Sequence, residues 1–185
     1  MKKAIMLAMS LAIVCGCAVL YPTWNKTSQD VVASAKVTED TFKNTKWVTF
    51  QTITPQVLQD RKKVTGTWDT FSGKFLIRAS VNPEDNTPKF FQIYISTSET
   101  EWGFYNRAID KEGKELQFVP VDSNVTSYAG VRTNEQFALT FDKNYLESRK
   151  NDNLIIKVYG KKDNFVFYVP QTYLEGVYDY FYGKK

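Results

Sequence analysis

Histidine is absent from the 185-residue chain, and cysteine occurs only at positions 15 and 17. Without histidine there is no Ser-His-Asp or Cys-His mechanism, and the commonest zinc ligand is missing. No G-x-S-x-G, Walker A or G-x-G-x-x-G string occurs, so the nucleophile elbow, the phosphate loop and the dinucleotide fingerprint are missing too. The 24 basic and 20 acidic residues leave a net charge of only +4. No dense basic stripe stands out, so a nucleic-acid partner is not expected. The oxygen-rich stretches NPEDN (82–86) and NDN (151–153) lack the central glycine and final glutamate of an EF-hand calcium loop. No metal and no cofactor is expected. Internal repeats and low-complexity tracts are also missing.

What is present is the composition of a folded domain. Hydrophobic residues make up 43% and charged residues 24%, outside the range of disordered chains. The length suits one domain. Aromatics reach 15%, with 13 Phe and 11 Tyr.

The chain opens MKKAIMLAMSLAIVCGC. Lys2 and Lys3 form a positive n-region and Ala4 to Val14 a short apolar h-region, the plan of a secretory signal peptide. The run V-C-G-C at 14–17 resembles the lipobox of bacterial lipoprotein precursors. Val14 supplies the branched apolar residue, and the small Gly16 sits directly before Cys17. Cys15 is the other possible modification site, but the residue before it, Val14, is large. The resemblance implies cleavage before Cys17, acylation of that cysteine, and attachment to the membrane through the N-terminal lipid. Ala18, where Asp would favour inner-membrane retention, implies the outer membrane if the host is Gram-negative. An uncleaved signal anchor is the alternative, since Ala4–Leu20 nearly reaches the ~20 residues that span a bilayer. The expected organisation is a signal peptide over 1–16, a lipidated N-terminus and tether over 17–29, and one globular domain over 30–185. The resemblance covers the leader alone; no domain family is identified.

Alternation of apolar and polar residues marks the domain as β-rich. KFLIRASV (74–81), KFFQIYIS (89–96), EQFALTF (135–141), LIIKVY (154–159) and NFVFYV (164–169) read as half-buried antiparallel strands. In 135–141 the inward residues are Phe137, Leu139 and Phe141. GFYNRAI (103–109) and ELQFVPV (115–121) form a hairpin around Gly113. TKWVTFQTI (45–53) is a first strand. DKNYLESRK (142–150) reads as a short helix capped by its Asp, and residues 28–43 as a further helix. PQTYLEGVYDYFYG (170–183) reads as a helix near 171–182, with Tyr173, Leu174, Val177, Tyr178 and Phe181 on one face. The fold class is α+β, a largely antiparallel sheet with a C-terminal helix, and a β-sandwich is the alternative.

Few residues suggest chemistry. Glu99 and Glu101, and the turn pair Glu84 and Asp85, are paired carboxylates that a glycosidase mechanism could draw on. All four sit in connectors, where solvated carboxylates are ordinary. Lys161 and Lys162 read as a solvated hairpin tip. Tyr180 and Tyr182 lie at the wet edge of the C-terminal helix and are the candidate interaction surface. The inventory points to a non-catalytic envelope protein that binds or scaffolds an envelope partner. A carboxylate hydrolase of envelope glycans and an exclusion lipoprotein blocking a surface receptor are the alternatives. If Cys15 leaves with the leader and Cys17 carries lipid, no disulfide can form. Far-UV circular dichroism and thermal unfolding of the processed protein should therefore coincide with and without reductant, and the spectrum should be dominated by β-structure.

Overall fold

The computed structural model describes residues 24–42, 44–54, 57–58, 72–127 and 130–183; the leader and Cys17 lie outside them. Ten strands and three helices occur among the described residues: α1 (Ser28–Ala33), β1 (Lys36–Asp40), β2 (Thr45–Thr49), β3 (Val57–Leu58), β4 (Ser72–Val81), β5 (Pro88–Glu99), β6 (Tyr105–Asp110), β7 (Glu115–Thr126), β8 (Arg132–Phe141), α2 (Lys143–Arg149), β9 (Leu154–Gly160), β10 (Asn164–Val169) and α3 (Gln171–Tyr182). The sheet order is β1-β2-β4-β5-β8-β7-β6-β9-β10-β3, and the strand pairings among the described residues are antiparallel. The fold is α+β, as the alternation implies.

The sheet curls on itself. Its two halves meet at the β6–β7 hairpin, where the register pairs are Ala108↔Leu116 and Ile109↔Glu115. Gly113 in that turn has φ +87°, a conformation that side chains disfavour. Beyond Leu116, β7 follows β8 as far as Thr126, with a register shift between Pro120 and Asp122. The chain from Thr45 to Leu58 touches both ends of the curl: β2 pairs with β4, Ile53 bridges Phe75 of β4, and β3 pairs with β10. Phe75 and Phe167, one from each end, meet with ring centroids 5.4 Å apart. The two halves thus face each other across the core, the feature that a sandwich reading also captures.

Inward residues of β4, β5, β8, β9 and β10 form one core cluster with helix α3. Tyr173, Leu174 and Val177 are fully buried on the helix, and Phe181 packs edge-on against Phe91 at 5.6 Å. Each large side chain buried in this way contributes about 1.5–3 kcal/mol before entropy is subtracted. Pro170 stands at the N-cap position of α3 and Gly183 ends it. Helix α2 is capped by Asp142, whose side chain accepts from the Tyr145 N–H at 2.8 Å.

Two expected elements differ. The helix expected over 28–43 is six residues long and is followed by a strand. Thr27 and Asp30 form a capping box that starts α1. Ser34 Oγ donates back to the Val31 carbonyl at 2.7 Å at its end, and the β-branched Val37 and Thr38 then pair with β2. The strand expected over 45–53 is broken by a bulge. Thr49 faces Arg78 and Ile53 bridges Phe75, so four steps on one strand span three on the other. The Phe50 N–H donates to the Ile77 carbonyl at 3.0 Å. The Ile77 N–H instead donates to Tyr173 Oη at 3.0 Å, and Tyr173 Oη donates to the Gln51 carbonyl at 2.6 Å. The phenol of α3 fills the gap that the extra residue opens in the ladder.

The start of the described chain is tied to the same helix. Trp24, within the segment expected as tether, donates Nε1–H to Thr172 Oγ1 at 2.8 Å and sits edge-on to Tyr173 at 5.6 Å. Helix α1 crosses α3 at Gly176, where an added Cβ would lie 2.6 Å from both the Ser28 carbonyl oxygen and Val31 Cβ.

Removing the Tyr173 hydroxyl leaves a buried N–H and a carbonyl without their partner. Tyr173→Phe should cost about 1–3 kcal/mol in a denaturant titration. Burial also raises the Tyr173 phenol above its ordinary value. The unfolded chain releases this proton near pH ~10 and the folded chain does not. Stability from this group is therefore present below that pH and falls as the pH rises above it, and Tyr173→Phe should make the alkaline fall shallower.

Candidate binding surface

The outward positions of the central strands carry an ordered row of polar side chains. The register places Thr49, Arg78, Gln92, Thr140 and Gln117 side by side on β2, β4, β5, β8 and β7. Arg78 Nε donates to Gln92 Oε1 at 2.9 Å, and Gln92 Nε2 donates to Thr140 Oγ1 at 3.0 Å. The Arg78 guanidinium is stacked between Trp47 and Tyr94, 4.4 and 4.5 Å from the ring centroids. Burial lowers its pKa, but a guanidinium stays charged across the physiological range. Trp47 meets Phe90 edge-on at 5.7 Å, and Tyr94 Oη hydrogen-bonds Gln136. Aromatic rings thus flank the polar row on both sides.

At one end the row opens into a cleft of about 360 Å³, lined by Phe90, Lys114, Gln117, Thr140, Asp142 and Tyr145 among others. A buried network holds its walls. Asp110, 4% exposed, ends β6 and faces α2. Its Oδ1 accepts from the N–H groups of Glu112 and Lys114 at 3.0 and 2.7 Å. Its Oδ2 accepts from Tyr145 Oη at 2.8 Å and Arg149 at 2.9 Å. Burial and the Asp110 carboxylate both push the Tyr145 phenol up. The cleft therefore lies between two elements, the β6–β7 turn and α2, fixed to one carboxylate.

The carboxylates singled out in the sequence go elsewhere. Glu99 Oε1 accepts from Tyr105 Oη at 2.6 Å. Burial, followed by the Glu99 charge, raises the Tyr105 phenol. Glu101 is exposed, and its carbonyl accepts from Thr133 Oγ1 at 2.8 Å. Asp85 Oδ1 accepts from the N–H and hydroxyl of Thr87 at 2.9 and 2.7 Å, and those bonds lower its pKa. Glu84 is exposed in the same turn. Lys161 and Lys162 are exposed between β9 and β10, where their N–H groups donate to the carbonyls of Phe104 and Gly103. Tyr180 lies edge-on to Phe50 at 5.4 Å. Tyr182 packs on Tyr178 at 5.1 Å and receives Lys143 Nζ at 4.4 Å from its ring. Both tyrosines are half-buried against the core edge. Among the described residues no cluster of three His, Cys, Asp or Glu suits a metal ion.

One carboxylate escaped sequence reasoning. Glu135 accepts from three successive N–H groups, Gly103 at 2.7 Å, Phe104 at 3.0 Å and Tyr105 at 3.1 Å. Consecutive N–H groups aimed at one point make an anion cradle, and here the chain's own carboxylate fills it. The arrangement holds Phe104, a residue 44% exposed, at φ +53°, with its ring centroid 6.1 Å from that of Trp102. The signal was available: Glu135 is in phase with the inward Phe137, Leu139 and Phe141, where an acid has no place unless donors meet it.

Glu135→Ala strips the cradle of its anion. It should lower stability by about 2–4 kcal/mol, and added formate should restore part of the loss in a thermal shift measurement, whereas chemically similar additions leave the wild type unchanged.

No protein-family model, curated protein or solved structure matches the chain.

Proposed function

We infer that this chain is a cell-envelope lipoprotein, anchored by lipid on Cys17, whose domain binds or scaffolds another envelope component without catalysing a reaction. The observation that carries the reading is the run V-C-G-C at 14–17 behind a charged and apolar leader. Its position relative to the domain supports it. Trp24 is fastened to α3, so the leash from Cys17 is seven residues long. Fully extended, it reaches about 25 Å. Such a leash keeps the domain within about its own diameter of a bilayer. The outer membrane is the favoured destination in a Gram-negative host.

Binding rather than turnover is supported by how the acids are used. Glu135 orders a loop, Asp110 orders a hairpin and Glu99 takes the Tyr105 proton donor. Each serves as a fixed acceptor in the architecture. The concave surface is lined instead by an amide, a hydroxyl, an aromatic ring and charges of both signs, the furniture of recognition.

Metabolic labelling with a fatty acid tests the anchor. The wild type should incorporate label and sediment with membranes. Cys17→Ser should lose the label and keep the leader, so that the chain runs larger, and Cys15→Ser should behave as wild type. Stable retention follows from two or three chains, each buried methylene adding ~0.8 kcal/mol. An unlabelled wild type would turn the reading toward an uncleaved signal anchor.

A further inference from the structure

The cleft and the row that leads out of it carry a more specific assignment. It rests on reading the domain as a binder, and it names the class of ligand. The geometry points to a neutral oligosaccharide, lying along the outer sheet face from the cleft at Phe90 and Gln117 toward Arg78 and Trp47.

The spacing comes first. Neighbouring strands lie about 4.8 Å apart, a step comparable to the length of one pyranose ring. The row offers one hydrogen-bonding side chain per strand over five strands, from Thr49 through Arg78, Gln92 and Thr140 to Gln117. Sugars along the row would meet Arg78, Thr140 and Gln117, while the buried Gln92, with its amide oxygen and nitrogen both engaged, fixes Arg78 and Thr140 on either side of it. The groups are held in place beforehand: Gln92 is 6% exposed and bonded on both sides. The guanidinium of Arg78 carries five donors, of which the row uses one.

The flanks fit the other property of a sugar, its apolar C–H face. Phe90 lines the cleft and contacts Trp47, while Tyr94 borders the row on the opposite side. The Arg78 guanidinium covers the faces that Trp47 and Tyr94 turn to the row, so of these three rings Phe90 is the one that lines the cleft. It does so beside the Gln117 amide and the Thr140 hydroxyl, and this pairing matches a ligand that is apolar on its faces and polar around its rim.

Charge and main-chain geometry decide against other ligands. Lys114, Glu115 and Asp142 line the cleft, and Glu115 is paired with Arg107 at 3.0 Å. The lysine and Asp142 balance, and Arg78 adds a single positive charge stacked between two rings, which is too little to draw a polyanion. Strands β4, β5 and β8 are paired on both sides, so an extended peptide finds no free backbone to add to. Recognition at this face has to proceed through side chains.

The test uses the full-length protein in a zwitterionic detergent that carries no sugar. The probes are a tetramer of N-acetylglucosamine, a tetramer of β-linked glucose and a neutral tetrapeptide, each observed by saturation-transfer NMR and titrated by calorimetry. At least one tetrasaccharide should bind saturably and the tetrapeptide should not. Gln117→Ala, at an exposed position, should weaken binding about three- to ten-fold, the worth of one hydrogen bond. Phe90→Leu keeps apolar bulk but loses the flat ring and should weaken it about ten-fold. Unfolding temperatures are measured alongside, and Gln117→Ala carries the test if Phe90→Leu does not fold. Absence of binding by both sugars, equal binding by wild type and Gln117→Ala, or peptide binding lost in that variant would overturn the assignment. Chromatography of the recovered sugars separates the two readings: shortened products would overturn the non-catalytic reading while leaving the ligand class standing, and failure to bind leaves the lipid label unaffected.

Discussion

One hydroxyl holds the architecture in register. Tyr173 Oη stands between the Ile77 N–H and the Gln51 carbonyl, where β4 and the bulged strand beside it cannot bond directly. A helix normally touches a sheet through apolar side chains, which tolerate sliding. Here the contact is also directional, so α3 has one allowed position along the curl. Much else hangs from that position. Gly176, one turn further on, admits α1. Thr172 and the Tyr173 ring receive Trp24. Phe181, at the far end, meets Phe50 and Phe91. The first and last parts of the domain are thereby fixed by adjacent residues of one helix.

Most strands were legible because their phase is clean. In β5, β8, β9 and β10 the inward residues are large and apolar, and period two is a robust signal when one face is buried. The C-terminal helix was equally plain, since Tyr173, Leu174 and Val177 can share a face only at helical spacing. Residues 28–43 misled because their apolar residues are few and weakly periodic. What divides them into α1 and β1 is a capping box at the start and pairing with β2 at the end, and the second of these is a tertiary event. The bulge at Phe50–Thr52 was invisible for a similar reason. Its cause, a phenol from a residue more than a hundred positions away, leaves no local mark.

The surface was less legible than the fold. Arg78, Gln92, Thr140 and Gln117 look like ordinary outward residues of four strands, and only the register makes them a row. The crossover that inserts β8 between β5 and β7 brings them together. Glu99 and Glu101 attracted notice by sequence proximity, yet the folded chain uses Glu99 as an acceptor for its own tyrosine. Glu135 drew no notice, although it stands at an inward position. An acid at an inward position of a clean strand is a better sign of local architecture than two acids that are merely close in sequence.

The length of β7 beyond Leu116 bears on how copies of this domain would meet if the proposed lipid anchor holds them on one surface. On this stretch Val121 and Val125 are 46% and 55% exposed, beside the main-chain edge that β6 leaves behind. Lipid anchoring would confine many copies to two dimensions, where collisions between edges become frequent and similarly oriented. Such crowding rewards sequences whose edges refuse to stick. Pro120 contributes no N–H, the shift between Pro120 and Asp122 breaks the repeat, and Asp122 adds a charge where a facing copy would place its own. In such a layer the irregular middle of β7 would act as an insulator, opposing edge-to-edge pairing between neighbouring copies.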